Sequence, residues 1–361
     1  MHKTAAWPLS LVYAGLIIYA SLYPFGEWRD RGVAPWDFLA SPWPQYWTGF
    51  DLVSNILGYA PLGFLLALSA MRTGRGDHAV RSAALVGALL SLLLEGLQVY
   101  LPARVPSNLD WALNVLGTGL GAALAALLER SGGLSRWSRF RAVWFVPDAR
   151  GGLVLLALWP LALLFPAAVP LGLGQVLERL EAGLAELLRG SPFLEWLPVR
   201  DLELQPLVPG AELACVLLGV LIPCLLGYCV IHSTWRRMVL VAGVLVAGMG
   251  ATALSAALSY GPLHAWAWFE APVLAGLVLG LLAALGCLGL SERGCAALLL
   301  LALGVYLSLI NQVPTSAYFA QTLQTWEQGR FIRFHGLAQW LGWLWPYGVL
   351  LYVLARVGQR A

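Results

Sequence analysis

Residues 51–63 read DLVSNILGYAPLG, residues 81–100 RSAALVGALLSLLLEGLQVY, and residues 104–121 RVPSNLDWALNVLGTGLG. With their flanks, these three runs are apolar and long enough to cross a bilayer, which takes about 20 residues of helix. Their few polar side chains fall at helical spacings. Asp51 and Asn55 are four apart, as are Asp110 and Asn114, and Glu95 and Gln98 are three apart. Each pair therefore shares one face of its own helix. A chain that crosses three times in succession brings all of them to one end. The stretch defines an all-α, polytopic membrane helix bundle with a polar site near one surface.

The whole chain agrees. Of its 361 residues, 59% are hydrophobic and 11% charged, against roughly 25% charged in soluble domains; mean hydropathy is +0.73. A single soluble core is excluded. The net charge of +3 is spread over loops, so no nucleic-acid footprint is present. The five cysteines, at 215, 224, 229, 287 and 295, lie in apolar runs without a CxxC pair or a histidine at zinc spacing. They are expected as small buried residues, and no metal or cofactor is expected. No Walker loop, H-E-x-x-H, G-x-S-x-G or dinucleotide fingerprint occurs, which argues against soluble-cofactor enzymes.

Ten spans are expected, at 5–23, 51–71, 81–100, 109–128, 152–170, 211–231, 237–258, 271–290, 294–311 and 337–355. The first follows Lys3 closely and lacks an A-x-A cleavage site, so it reads as a retained signal anchor. With the N-terminus inside, 14 of the 22 Lys and Arg residues fall on inner segments. Both termini are therefore expected in the cytoplasm, with 24–50 and 171–210 outside. Residues 1–130 form a four-helix domain and 131–361 a second domain of about six spans. The basic segment 129–150 joins them as an inner loop. Trp28, Trp36, Trp43, Tyr46 and Trp47 crowd the first outer loop. They suit an interfacial belt, or alternatively a platform for stacking carbohydrate. Residues 175–189 carry a leucine stripe opposite Glu178, Glu181 and Glu186, and are expected to lie on the outer membrane surface.

Several polar residues have an ordinary explanation beside a functional one. Asp51 and Asp110 stand where helices begin, and Asp caps free N–H groups there. Asn55 and Asn114 suit interhelical hydrogen bonds, and Gly117 and Gly121 suit close packing of small residues. Pro61 and Gly63 suit a bend. Arg104, in the short loop above the site, suits an interfacial anchor. Glu95 fits none of these. It stands in SLLLEGLQ, residues 91–98, with no Lys or Arg within a turn. A charge at mid-helix costs at least ~2.5–3.5 kcal/mol by insertion scales, less near the interface. Such an acid faces a bundle interior or a wet cavity and takes a partner, for which Arg104 is nearest in sequence on the expected side. With the third span ending near Leu101, Glu95 is expected roughly 9 Å below the outer end of its helix.

The pattern D-x3-N-x5-PLG, then E-x2-Q, then R-x5-D-x3-N-x2-G-x3-G resembles the VanZ-like family over about residues 1–130. Tyr59 departs from the Phe expected there. The family is named for a membrane protein associated with teicoplanin resistance. The resemblance implies signature positions at Asp51, Asn55, Glu95, Gln98, Arg104, Asp110 and Asn114, and a process, the cell-envelope response to glycopeptides, rather than a reaction. Three functions follow as expectations. One is an envelope-facing factor of the cytoplasmic membrane that binds or acts on a lipid-linked glycan or lipoglycopeptide. In it, Glu95, Asp51 and Asp110 supply acid–base or metal-binding groups, and Arg104, Asn55, Gln98 and Asn114 bind substrate; Arg104 and the two helix N-termini would seat a phosphate or carboxylate. The others are a proton-coupled transporter or flippase, and a non-catalytic scaffold. Membrane lipids are the expected partners in all three.

Overall fold

The computed structural model describes residues 6–358 apart from 24, 27, 45, 48, 166, 197–206, 261 and 314–331, with the side chains of 50, 195, 260, 262 and 332–338 also outside the description. Lys3, Arg200, Arg330 and Arg360, used in the charge count, lie outside the described residues. All α-helical and 3-10 structure described is shared among twelve α-helices and short 3-10 turns, and no strand occurs among the described residues. The helices are α1 Ala6–Leu22, α2 Gly49–Arg72, α3 Ala79–Gln98, α4 Asn108–Arg130, α5 Gly133–Trp144, α6 Arg150–Ala162, α7 Leu177–Leu187, α8 Pro209–Tyr228, α9 Thr234–Tyr260, α10 Ala271–Gly286, α11 Glu292–Ile310 and α12 Ile332–Gly358.

Each expected span falls on one apolar helix. Seven of them, α2, α3, α4, α8, α9, α11 and α12, are long and apolar enough to cross a membrane. The other three are shorter, at 17 residues for α1, 13 for α6 and 16 for α10. The largest departure is α6, expected to run to 170 but closed at Leu163. Prolines at 166 and 170 explain it, since proline cannot donate to the helical ladder and disfavours helix in the residue before it. The basic segment 129–150 is not simply a loop; it contains α5. The expected amphipathic stretch forms α7, whose Leu177, Leu180, Leu184 and Leu187 are all exposed.

The chain divides into two compact units, Met1–Phe140 and Arg141–Ala361. In the first, α2 and α4 approach backbone to backbone. A Cβ added to Gly117 would overlap the Ile56 carbonyl, one on Gly121 the Ala60 carbonyl, and one on Gly63 the Thr118 carbonyl. Gly63 thus serves close contact, within an α2 that continues through Pro61. Below this seam lies a layer of Ala67, Ala79, Ala83, Ala122 and Ala125. In lipid there is no hydrophobic force between helices, so association rests on such van der Waals contact. At the far end Arg72 of α2 stands 4.0 Å from Glu129 of α4.

In the second unit α8 is the most enclosed span, and α10 lies on it. A Cβ on Gly276 would stand 2.8 Å from Val216 Cβ and Leu213 O. Arg237 is buried yet satisfied: it donates to the carbonyls of Tyr228, Ile231, Leu288 and Leu290 and lies over the Tyr228 ring. It ties together the chain ends that follow α8 and α10. Like Arg237, all five cysteines are drawn inside, Cys287 only partly, and none forms a disulfide.

Candidate functional site

The site is built where α3 ends and α4 begins. α3 stops at Gln98, so Glu95 lies in its last turn, about 4.5 Å along the axis from the helix end rather than the 9 Å expected from a helix running to Leu101. Glu95 is nonetheless only 5% exposed. A carboxylate at a helix C-terminus meets the negative end of the dipole, so it needs a donor from elsewhere. Its Oε2 accepts from the Ser107 backbone N–H at 2.9 Å.

Ser107, not Asp110, caps α4: its Oγ accepts from Asp110 N at 3.3 Å. Ser107 and Asp110 have the spacing of a capping box, in which the acid at the third helical position would reach back to the cap N–H. Here Glu95, from the neighbouring helix, takes that N–H. The Asp110 carboxylate turns instead to α2, where Oδ1 accepts from Asn55 Nδ2 at 2.8 Å. A chain of short polar contacts, Glu95 to Ser107 to Asp110 to Asn55, therefore crosses α3, α4 and α2. Asp51 does not stand at the first position of its helix either: α2 begins at Gly49, and Asp51 is half-buried in its first turn, one turn before Asn55.

One turn deeper a second polar layer crosses the same helices. Asn114 of α4 donates from Nδ2 to Ser91 Oγ of α3 at 3.0 Å. Tyr59 of α2 is buried beside Ser91 and near Glu95. The side-chain oxygen of Asn114, Oδ1, is closed to solvent and accepts no hydrogen bond among the described residues. Buried acceptors of this kind are uncommon and ask for an explanation.

Gln98 and Arg104 face another way. Gln98 Nε2 donates to Ser21 O at 3.0 Å, and Arg104 Nη2 donates to the carbonyls of Tyr23 and Ala20. Both serve the exposed carbonyls at the end of α1, a C-terminal capping role suited to a cation. Arg104 is accordingly buried rather than hanging at the interface. The first loop closes over the same end. Trp36 lays its ring against Gly96, Arg29 N donates to Tyr100 O, and Asn108 Nδ2 donates to Ser41 O. Of the seven expected residues, the structure links Glu95, Asn55 and Asp110, joins Asn114 to the layer below, and gives Gln98 and Arg104 partners on α1. Ser107, Ser91, Tyr59 and Trp36 are additions to the expected set. Three had a readable signal: Ser107 stands three before Asp110, Ser91 stands four before Glu95 on the same face, and Trp36 belongs to the aromatic cluster of the first outer loop.

A buried acid, wired by hydrogen bonds to two neighbouring apolar helices near one end of the bundle, defines a polytopic membrane protein with an intramembrane polar site. Residues 6–129 match the VanZ/LLP1 family model, so the N-terminal part of the chain is a VanZ-like membrane domain. No curated protein and no solved structure matches the chain.

Proposed function

We propose that this domain works at the outer face of the cytoplasmic membrane, where it binds and acts on a lipid-linked envelope glycan or a lipoglycopeptide of the teicoplanin type. The observation that carries the reading is Glu95, a carboxylate buried at the rim of three apolar helices and held by a backbone N–H. Nothing in packing alone calls for an acid there, and intramembrane acids mark substrate or proton paths. The chemistry of the surroundings supports a donor-rich ligand. Three carboxylates, at Asp51, Glu95 and Asp110, stand at this end, the Arg104 guanidinium donates to the carbonyls of Ala20 and Tyr23, and Asn114 Oδ1 accepts no hydrogen bond among the described residues. Such an acceptor-rich end suits sugar hydroxyls or an amine better than a phosphate. Trp36, half-exposed on Gly96, adds a face on which a sugar ring can stack. In this reading Glu95, with Asp51 and Asp110, orients the ligand or moves a proton, while Asn55 and Asn114 bind it and Gln98 and Arg104 hold α1 in place.

The contacts of Gln98, Arg104 and Asn55 within the protein favour one competing reading, a scaffold whose polar groups only join helices. Glu95→Gln separates the two. The amide keeps an oxygen for the Ser107 N–H but removes the charge, so the fold persists. In a teicoplanin-challenged host expressing the protein, we expect Glu95→Gln to lose protection at unchanged protein level, and the copurifying lipid or glycan, read by mass spectrometry, to disappear. Full protection by Glu95→Gln would establish the scaffold.

A further inference from the structure

α4 starts beside Glu95 and ends a full crossing away, at Arg130. There α5 follows directly, after residues 131–132. The turn is tight. Ser131 N donates to Leu127 O and Gly132 N to Glu129 O, and Gly132 takes a φ of +71°, a left-handed conformation that glycine adopts without strain. α5 therefore starts at the level where α4 ends. Its last turn is held as well. Arg236, in the first turn of α9, lies over the Trp144 ring, 5.4 Å from the centroid, and donates to the Val143 carbonyl. Both ends of α5 are thus tied to the ends of membrane-spanning helices. With 12 residues it is about 18 Å long, too short to cross. It lies along the membrane surface opposite the Glu95 site.

No residue of α5 is buried. Trp137, Phe140 and Trp144 recur at i, i+3 and i+7 and share one face. On it Trp137 is 57% and Phe140 41% exposed, and their rings stack with centroids 5.6 Å apart. Arg136 and Arg141 fall on the two edges of this face, and Arg139 lies further round. With Arg130 they make a run of arginines, and no acidic residue occurs between Glu129 and Asp148. Arg136, Arg139 and Arg141 make no ion pair among the described residues. α7 shows the contrast. Its exposed leucines stand opposite Glu178, Glu181 and Glu186, and its neighbour Arg189 is paired with Glu186 at 2.7 Å. An exposed aromatic face edged by uncompensated positive charge belongs to α5.

We infer that α5 binds the headgroups of anionic phospholipids at this surface, independently of any ligand at Glu95. The charge is complementary, and arginine in particular offers a planar fork to two phosphate oxygens at once. The aromatic face suits the same depth, because tryptophan settles at the headgroup level with its ring toward the acyl chains. A basic helix of this kind gains both from buried apolar area and from attraction to anionic lipid. A zwitterionic headgroup brings its own ammonium and leaves the arginines uncompensated. A polyanion without acyl chains would meet the arginines and leave the aromatic face uncovered by lipid. Fixing the orientation of the chain requires only that positive charge be present near the span ends; it requires neither an aromatic face nor arginines on both its edges.

The test is native mass spectrometry of the full-length protein in a non-ionic detergent, titrated with short-chain phosphatidylglycerol or phosphatidylcholine. The unaltered protein should take phosphatidylglycerol roughly tenfold more tightly, since each arginine near an anionic headgroup is worth about fivefold. Arg136→Gln combined with Arg141→Gln keeps helix propensity and removes the charge from both edges of the face. It should weaken phosphatidylglycerol roughly tenfold and leave phosphatidylcholine unchanged, so the preference disappears. Arg75→Gln combined with Arg81→Gln is the matched control. It removes the same charge from the exposed turn between α2 and α3, at the same surface, and should keep the preference. Trp137→Gln should weaken both lipids alike and leave their ratio intact. An oligothymidylate, a polyanion without acyl chains, should fail to displace phosphatidylglycerol. Equal affinity of the unaltered protein for the two lipids, the same loss in the Arg75 and Arg81 control, or displacement by the oligothymidylate overturns the inference.

Discussion

The contact between Glu95 and Ser107 joins two roles in one residue pair. Ser107 Oγ serves the N-terminus of α4, while its backbone N–H serves the carboxylate of α3. The two halves can be removed separately. Ser107→Ala deletes the cap oxygen and leaves the N–H on Glu95, so it should cost about 1 kcal/mol, the usual loss for a cap, with the ligand still copurifying. Chemical denaturation in detergent checks the first expectation and mass spectrometry the second. Glu95→Gln should show the reverse, with stability retained and ligand lost. The position of Glu95 was legible, because an acid among leucines has few explanations. Its partner was not. Asp110 seemed the natural cap because acids favour helix starts, and propensity could not reveal that the helix began two residues earlier. Nor could spacing along the chain show that Arg104 would turn toward the carbonyls of Ala20 and Tyr23, because α1 is far away in sequence.

At the scale of the element, small residues set the distances on which the site depends. Gly117 and Gly121 let α4 lie against α2 closely enough for Asp110 to reach Asn55. This seam was readable from the four-residue spacing of glycines, and the structure adds Gly63 and Gly87 on the opposing helices, each set against Thr118. Gly121→Leu would place a branched side chain in the Ala60 carbonyl, where backbone rather than a movable side chain stands in the way, so the helices must part. The expected result is a sharp fall in folded yield and thermal stability in detergent, and Gly117→Leu should behave in the same way against Ile56. Gly119 provides the control: nothing stands within 4 Å of a Cβ placed there, so Gly119→Leu should be tolerated. The length of α6 was less legible. An apolar run with prolines inside it reads as one span on hydropathy, while the backbone must leave the helix once donors are missing, and the supports that make this tolerable come from Ser255, Tyr306 and Asn311, 90 or more residues away.

For the molecule as a whole, the directions of the helices can be followed within each unit. In the first, the ends of α1 and α3 meet the start of α4 through Gln98, Arg104 and Glu95, while the ends of α2 and α4 meet at Arg72 and Glu129. In the second, the start of α8, the later part of α9 and the approach to α10 line one cavity. Both patterns are those of a chain that reverses at every crossing. Alternation fixes which ends lie together and leaves open which side of the membrane they face. Charge supplies that choice, because the positive-inside bias counts Lys and Arg in short loops near the span ends. Arg72, Arg75 and Arg81 cluster around the turn from α2 to α3, and α5 adds Arg136, Arg139 and Arg141. The end with Glu95 should therefore face outward. Cysteine substitutions at Ser41, in the loop held by Asn108, and at Ser191, just beyond α7, test this in intact cells with an impermeant thiol reagent. The native cysteines give little background, since four are buried and Cys287 is partly so. Both introduced thiols should react before lysis. Protection of both until the membrane is opened would invert the orientation, and with it the assignment of Glu95 to a ligand arriving from the envelope.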